Sequence, residues 1–122
     1  MQYLLLIYDE ESIWENMAEE ERNHLYGEYM AFTQELKDAG AYVTADQLQP
    51  TAAATSVRIR DDEPLVTDGP FAETKEQLGG FYLIEVDSLD EAIEWAAKIP
   101  SARVGTIEVR PVVQVTATAG QG

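Results

Sequence analysis

The chain of 122 residues contains no cysteine, one histidine and only eight Lys and Arg residues. Without cysteine it has no disulfide framework, no thiol nucleophile and no cysteine-ligated metal site. One histidine is too few for the usual nitrogen–sulfur zinc sites. We therefore expect a protein that needs no metal and no other cofactor, and we expect His24 at the surface rather than as a haem ligand.

Positive charge is scarce against 23 Asp and Glu residues, which gives a formal net charge of −15. No Lys or Arg occurs before Arg22, whereas seven acidic residues lie within residues 9–21. Such a surface repels phosphate backbones and anionic lipid, so nucleic acid and membranes are poor partners. The acidic run itself is interpreted as a solvated face that keeps the protein soluble.

Long hydrophobic runs are also absent. The apolar run at residues 3–8 is too short to span a bilayer and has no basic residue before it, which predicts neither a membrane helix nor a signal peptide. We expect a cytoplasmic protein. The length and the 45% hydrophobic content predict one globular domain over residues 1–115, followed by a flexible C-terminal tail over residues 116–122.

The hydrophobic pattern alternates between strands and helices. A buried strand at residues 3–8 precedes a helix that begins near Asn16, where Asn16 and Glu19 have the spacing of a capping box. Its predicted buried stripe is Leu25, Tyr29, Phe32 and Leu36, and Gly40 ends it as a left-handed cap.

The second half repeats this order. Half-buried alternation predicts a strand at residues 55–60, which turns at residues 61–62 into a second strand at 64–67. A strand at 81–86 then leads to a helix capped by Ser88 and Glu91, and a last strand lies within residues 106–115. The predicted buried stripe of that helix is Leu89, Ala92, Ile93 and Ala96. The order predicts an α+β fold with a ferredoxin-like split β-α-β sheet and both helices on one face.

The stretch TDGPFAETKEQLGGFY at residues 67–82 closely resembles the central motif of the DGPF branch of the YCII-related family. The resemblance extends from residues 3–8 to EVRPV at residues 108–112, nearly the whole chain. It implies a dimeric α+β barrel, in which two protomers pack the open faces of their sheets together as a homodimer. It implies no particular chemistry. It also implies a possible link to extracytoplasmic-function sigma-factor systems, beside or within which relatives of this type are found.

The same resemblance bears on acid–base chemistry, because the family has a proposed His–Asp pair in its cleft. Asp9 matches the aspartate of that pair, and Tyr29 stands where the family has histidine. A phenol with an ordinary pKa near ~10 is a poor general base at neutral pH. Any active site here therefore works without the family's His–Asp pair.

Asp68 is the first candidate for a catalytic carboxylate and Asp9 the second. Asp68-Gly69-Pro70-Phe71 has the composition of a turn, in which the Asp68 carboxylate accepts backbone N–H groups. The alternative places Asp68 at a pocket mouth as acid, base or hydrogen-bond anchor, with Phe71 as an apolar wall. Candidate ligand-binding residues are Tyr29, Phe71, Lys75 and Tyr82; core packing is the alternative for the aromatic residues, and simple surface exposure for Lys75.

Two functions from different classes remain open on these residues. One is a non-catalytic module that binds a small-molecule ligand or a protein within a regulatory system. The other is a cofactor-free lyase or isomerase, in which Asp9 and Asp68 supply acid–base chemistry and Tyr29 or Tyr82 donates a hydrogen bond. A deep cleft joining Asp9 to Asp68 would favour the enzyme.

Overall fold

The computed structural model describes residues 1–114, so the tail predicted over residues 116–122 lies outside the described residues. These described residues form six strands and three α-helices, in the order β1 (Gln2–Asp9), α1 (Glu11–Glu15), α2 (Glu19–Asp38), β2 (Tyr42–Gln47), β3 (Thr55–Arg60), β4 (Glu63–Asp68), β5 (Gln77–Glu85), α3 (Leu89–Ala97) and β6 (Thr106–Pro111). Short 3-10 turns lie at Thr51–Ala53 and Pro100–Arg103.

Four strands form one sheet in the order β2-β5-β1-β6, and β1 is antiparallel to both of its neighbours. Strand β1 alternates between buried and half-buried residues, and its buried residues Tyr3, Leu5 and Ile7 belong to the core. The same core contains Phe32 and Leu36 of α2 together with Ala92 and Ala96 of α3. Both helices therefore cover one face of the sheet, which confirms the predicted α+β fold class.

The opposite face of the sheet carries the other set of β1 side chains. Leu4 pairs with Leu83 and Leu6 pairs with Phe81, and all four are only half-buried. Directly paired residues in an antiparallel sheet point to the same side. The two central strands thus present a continuous apolar strip, which we call the open face.

The start of α2 differs from the prediction. Asn16 ends the short helix α1, and α2 begins at Glu19 after Ala18, which has no capping side chain. The predicted capping box of Asn16 and Glu19 is therefore wrong. The Arg22 guanidinium instead donates to the carbonyl oxygens of Trp14 and Met17, at 2.8 and 3.1 Å, and so closes the turn between the two helices.

The other helix ends follow the sequence pattern more closely. Ser88 caps α3 by accepting a hydrogen bond from the Glu91 N–H at 3.2 Å, and Gly40 has the left-handed φ of 73° predicted for a cap after α2. The predicted α3 stripe is only half right, because Leu89 and Ile93 remain about half exposed. The two alanines of that stripe, which bring the helix close to the sheet, are its buried part.

Strands β3 and β4 pair only with each other and form a separate hairpin. Its turn uses Asp61 and Asp62, both at positive φ, as the predicted turn requires. The prediction that residues 55–60 are half-buried is wrong, because in the described chain no other element packs closely enough on this hairpin to cover it. Among residues 1–114, no helix is both long and apolar enough to cross a membrane.

Candidate functional site

A cavity of about 510 Å³ lies between α2 and the helix-covered face of the sheet. Its walls come from the end of β1, from α1 and α2, from β2 and from the start of β5. The described lining residues are Ile7, Asp9, Glu11, Trp14, Glu15, Arg22, Tyr26, Tyr29, Thr33, Tyr42, Ala45, Asp46, Gln47, Leu48, Gln49, Pro50, Gly79, Gly80, Phe81 and Tyr82. This volume lies in the range of pockets that bind small molecules.

Asp9 is the buried carboxylate of this cavity. It ends β1 and is only 4% exposed. Its Oδ2 atom accepts a hydrogen bond from the indole Nε1 of Trp14 at 3.0 Å, whereas Oδ1 has no hydrogen-bond partner within residues 1–114. A buried carboxylate oxygen without a donor is costly, so this atom is suited to a donor supplied by a bound molecule.

Two glycines make room around Asp9 and the adjoining backbone. A Cβ atom on Gly105 would lie 2.8 Å from the Asp9 Cβ and would overlap the Tyr8 carbonyl oxygen. A Cβ on Gly80 would lie 3.0 Å from the Asp46 carbonyl oxygen, so glycine allows β2 and β5 to approach closely. Neither glycine has a positive φ, and both are therefore required for space rather than for unusual backbone angles.

The segment containing α1 is held over the cavity by polar contacts. The Glu11 N–H donates to Gln77 Oε1 at 3.0 Å, and the Glu11 carboxylate accepts from the N–H and hydroxyl of Thr51 at 2.6 and 2.8 Å. These bonds connect α1 to the start of β5 and to the loop after β2. They position Trp14 so that its indole reaches Asp9.

Aromatic rings form much of the cavity wall. The Trp14 ring centroid lies 5.7 Å from that of Tyr26 and 6.5 Å from that of Tyr29. Tyr42 and Tyr82 line the side of the sheet. Phe81 also borders the cavity, but its pairing with Leu6 turns its side chain to the open face.

Tyr29 lies close enough to Asp9 for the negative charge of the carboxylate to affect the pKa of the Tyr29 hydroxyl. Burial raises the pKa of Tyr29 to about 12, the hydrogen bond with Ser101 Oγ at 2.5 Å opposes this shift, and the negative charge of Asp9 adds to it. Tyr29 is therefore a neutral phenol at neutral pH, and it cannot take the role of a basic histidine. The resemblance placed Tyr29 opposite the aspartate, and the structure brings both residues to one cavity.

The raised pKa of Tyr29 should make the free energy of unfolding depend on pH under alkaline conditions. Because the unfolded chain releases the Tyr29 proton near pH ~10 and the folded chain near 12, stability falls as the pH rises between these values, by roughly 2 kcal/mol for this group. Titration of ¹³Cζ-labelled tyrosine by NMR, assigned with Tyr29→Phe, should give a midpoint near 12 for Tyr29. A midpoint near 10 would contradict the shift of the Tyr29 pKa by burial. In Tyr29→Phe the free energy of unfolding should fall less steeply with pH above ~10 than in the wild type.

Tyr82 is also buried, and burial raises its pKa, with the Thr33 hydrogen bond acting in the opposite direction. Thr33 Oγ1 donates to the Tyr29 carbonyl oxygen at 2.9 Å and lies 2.7 Å from the Tyr82 hydroxyl. Since a hydroxyl has one proton, the Thr33 proton is used on the carbonyl and Tyr82 is the donor to Thr33. Tyr82 therefore offers a bound molecule an acceptor rather than the donor that the sequence analysis expected.

Asp68, Phe71 and Lys75 lie away from the cavity, on or after the hairpin. All three are exposed, Phe71 to 80%, and none of them lines the cavity within one chain. The Asp68 carboxylate makes no hydrogen bond in the described chain. Two other hydrogen bonds stabilise the turn: the Gly69 N–H donates to the Ala54 carbonyl oxygen, and the Ser56 hydroxyl donates to the Gly69 carbonyl oxygen. The turn-cap interpretation of Asp68 is thus wrong, and Asp68 does not line the cavity that contains Asp9. Its role in a site stays a prediction.

Trp14, Glu11 and Thr33 belong to the site, although no sequence pattern predicted them there. Trp14 lies in the acidic run that was interpreted only as a solvated face, and its position five residues after Asp9 was the one available signal. The expected location of His24 is confirmed, because its side chain is 81% exposed beside Glu28.

Comparison with known proteins places the chain in a family. The model of the YCII-related domain matches residues 1–116, and the chain belongs to this family. It is 41% identical over 114 residues to an uncharacterized protein of Rhizobium meliloti (strain 1021), covering 92% of each chain.

A solved structure shares the fold. It is 5-chloro-2-hydroxyhydroquinone dehydrochlorinase (TftG) from Burkholderia phenoliruptrix AC1100, in complex with 2,5-dihydroxybenzoquinone. The TM-score is 0.54 at 15% identity, with 94% of this chain and 96% of that chain covered. At this identity the likeness concerns the fold alone.

Proposed function

We propose that this protein binds a small organic molecule in the cavity beside α2 and moves a proton on it with the Asp9 carboxylate. The observation that carries the proposal is the buried Asp9 side chain, whose Oδ2 is held by Trp14 and whose Oδ1 has no partner in the described chain. Fixing one oxygen orients the other, which is what a general base requires. The reaction class is that of a cofactor-free lyase or isomerase.

The proton balance needs no other reactant. Oδ1 takes a proton from an acidic C–H, N–H or O–H group of the ligand, and the carboxylic acid returns it to a second atom of the same molecule. In an elimination, the electron pair of the broken C–H bond forms a double bond, the leaving group departs with the electron pair of its own bond, and the Asp9 carboxylic acid gives the proton to that group or to water. The related fold of a dehydrochlorinase that was solved with a small ring compound is compatible with this class.

A non-catalytic ligand-binding module is the second candidate. It is favoured by Tyr29, because the residue at the family's histidine position is a phenol with a pKa of about 12 and cannot relay protons near neutral pH. The link to a sigma-factor system stays a prediction that depends on the resemblance alone.

Binding can be tested by ligand-observed NMR with a library of small organic molecules. Ala45 lines the cavity, and Ala45→Phe should fill part of it and remove the signals of bound molecules. The matched control is Val57→Phe, which adds the same ring to an exposed strand outside the cavity and should leave binding intact. Molecules that bind equally to both variants would place the binding site elsewhere.

Proton transfer can be tested on the same bound molecules in D₂O. At ligand concentrations that saturate both proteins, the wild type should catalyse deuterium incorporation at an acidic position, and Asp9→Asn should slow it by at least about 100-fold. Binding without any exchange in the wild type would support the non-catalytic module. Equal exchange in wild type and Asp9→Asn would exclude Asp9 as the base.

We also propose that the protein is a homodimer joined through the open face. The support is the apolar strip formed by Leu4, Leu6, Phe81 and Leu83, which the helices leave uncovered. An identical strip on a second copy is complementary to it by two-fold symmetry.

A further inference from the structure

The charges and rings of the α2 cavity bear on the kind of molecule it accepts. The acidic residues Asp9, Glu11, Glu15 and Asp46 line it, and the one basic residue among the described lining residues is Arg22. The Nη2 atom of Arg22 donates to the carbonyl oxygens of Trp14 and Met17, which holds this cation at the turn between α1 and α2. Because the acidic residues outnumber this one cation, the cavity has a net negative charge and favours a cationic ligand over an anionic one.

The hydrogen-bonding groups of the cavity have the same preference. Asp9 Oδ1 can only accept, and it has no donor within the described residues. Tyr82 already donates to Thr33, so its hydroxyl has only lone pairs left for a ligand. A ligand with hydrogen-bond donors would satisfy both of these acceptors.

The aromatic rings of the cavity wall also favour a cationic ligand. The rings of Trp14, Tyr26, Tyr29, Tyr42 and Tyr82 surround the space beside Asp9. Ring faces attract cations, and proteins combine them with a carboxylate to hold ammonium groups. The Lys37 ammonium already lies 4.9 Å from the Tyr42 ring centroid, although Lys37 is not itself a lining residue.

We propose that the ligand of this cavity is an organic amine in its cationic form, with an apolar or aromatic body. Its ammonium group donates to Asp9 Oδ1 and Tyr82, and its body packs against the rings. The net charge of −15 raises the local concentration of such a cation around the protein. This inference rests on the proposed function of the same cavity, and it specifies the class of ligand.

Three probes that share one ring separate the inference from the proposed function. They are benzylamine, benzyl alcohol and phenylacetate, which are cationic, neutral and anionic at neutral pH. In calorimetry or NMR titration at low salt, benzylamine should bind at least ten-fold more tightly than benzyl alcohol, and phenylacetate should not bind. All binding should be lost in Ala45→Phe.

The contribution of charge is tested by substitution. Asp9→Asn keeps the shape of the side chain and should weaken benzylamine about ten-fold, to the level of benzyl alcohol, while the affinity for benzyl alcohol changes little. The matched control Asp87→Asn removes the same charge from an exposed residue outside the cavity and should change neither affinity.

Each outcome decides between the two proposals. If benzyl alcohol or phenylacetate binds as tightly as benzylamine and Ala45→Phe abolishes that binding, the cavity binds small molecules but the amine inference is overturned. If benzylamine fails to bind, or if Asp87→Asn weakens it as much as Asp9→Asn does, the amine inference is likewise overturned. The library screen then decides the proposed function separately.

Discussion

Replacing Gly105 by alanine should destabilise the protein by about 3 kcal/mol, although it adds a single methyl group. The new Cβ would overlap the Tyr8 carbonyl oxygen and lie 2.8 Å from the Asp9 Cβ. The Tyr8 oxygen and the Asp9 Cα, which would lie 3.1 Å from the new Cβ, are backbone atoms of the central strand and cannot move aside as a flexible side chain would. Urea denaturation should show the loss of stability. Ligand binding should also weaken, because Asp9 is displaced.

Gly27→Ala is the matched control for this change. Gly27 lies in α2, and a Cβ at this position meets no atom within 4 Å. Alanine is the better helix former, so this variant should gain about 0.5–1 kcal/mol. Equal stabilities of the two variants would contradict the close packing of Gly105 against β1.

The second large effect is expected at the open face. Leu83→Glu should convert the dimer into a monomer, because two-fold symmetry buries the new charge twice without a partner. We expect the dissociation constant to rise by roughly 100-fold or more, equivalent to about 3 kcal/mol. Light scattering should then give the 13.6 kDa of one chain instead of twice that mass.

Ile93→Glu serves as the control for Leu83→Glu. Ile93 is 49% exposed on α3, which packs on the other face of the sheet, so the same charge there should leave the dimer intact. Circular dichroism should show that both variants remain folded. A wild-type protein that is monomeric at micromolar concentration would contradict the proposed homodimer.

Added salt should lower the dissociation constant of the dimer, because it screens the repulsion between two chains that each carry a net charge of −15.

The sequence alone was sufficient for the family and for most of the order of strands and helices, but it did not predict the short helix α1. The apolar run of β1, the cap at Ser88 and the turn at Asp61-Asp62 depend on neighbours in the chain, so local pattern predicts them. The start of α2 was misplaced, because Arg22 closes the turn there by reaching carbonyl oxygens of the preceding segment. No local capping pattern contains that contact.

The candidate site divides in the same way. The sequence by itself determined that Asp9 stands at the end of the first strand and that Tyr29 lies on the buried side of α2. Only the tertiary structure decided that Trp14 holds Asp9, that Tyr29 meets Ser101 72 positions later in the chain, and that Asp68 lies apart from both in one chain. A strand or a helix follows from the spacing of nearby residues. A cavity forms where distant segments pack together, and its shape depends on contacts that have no fixed spacing along the chain.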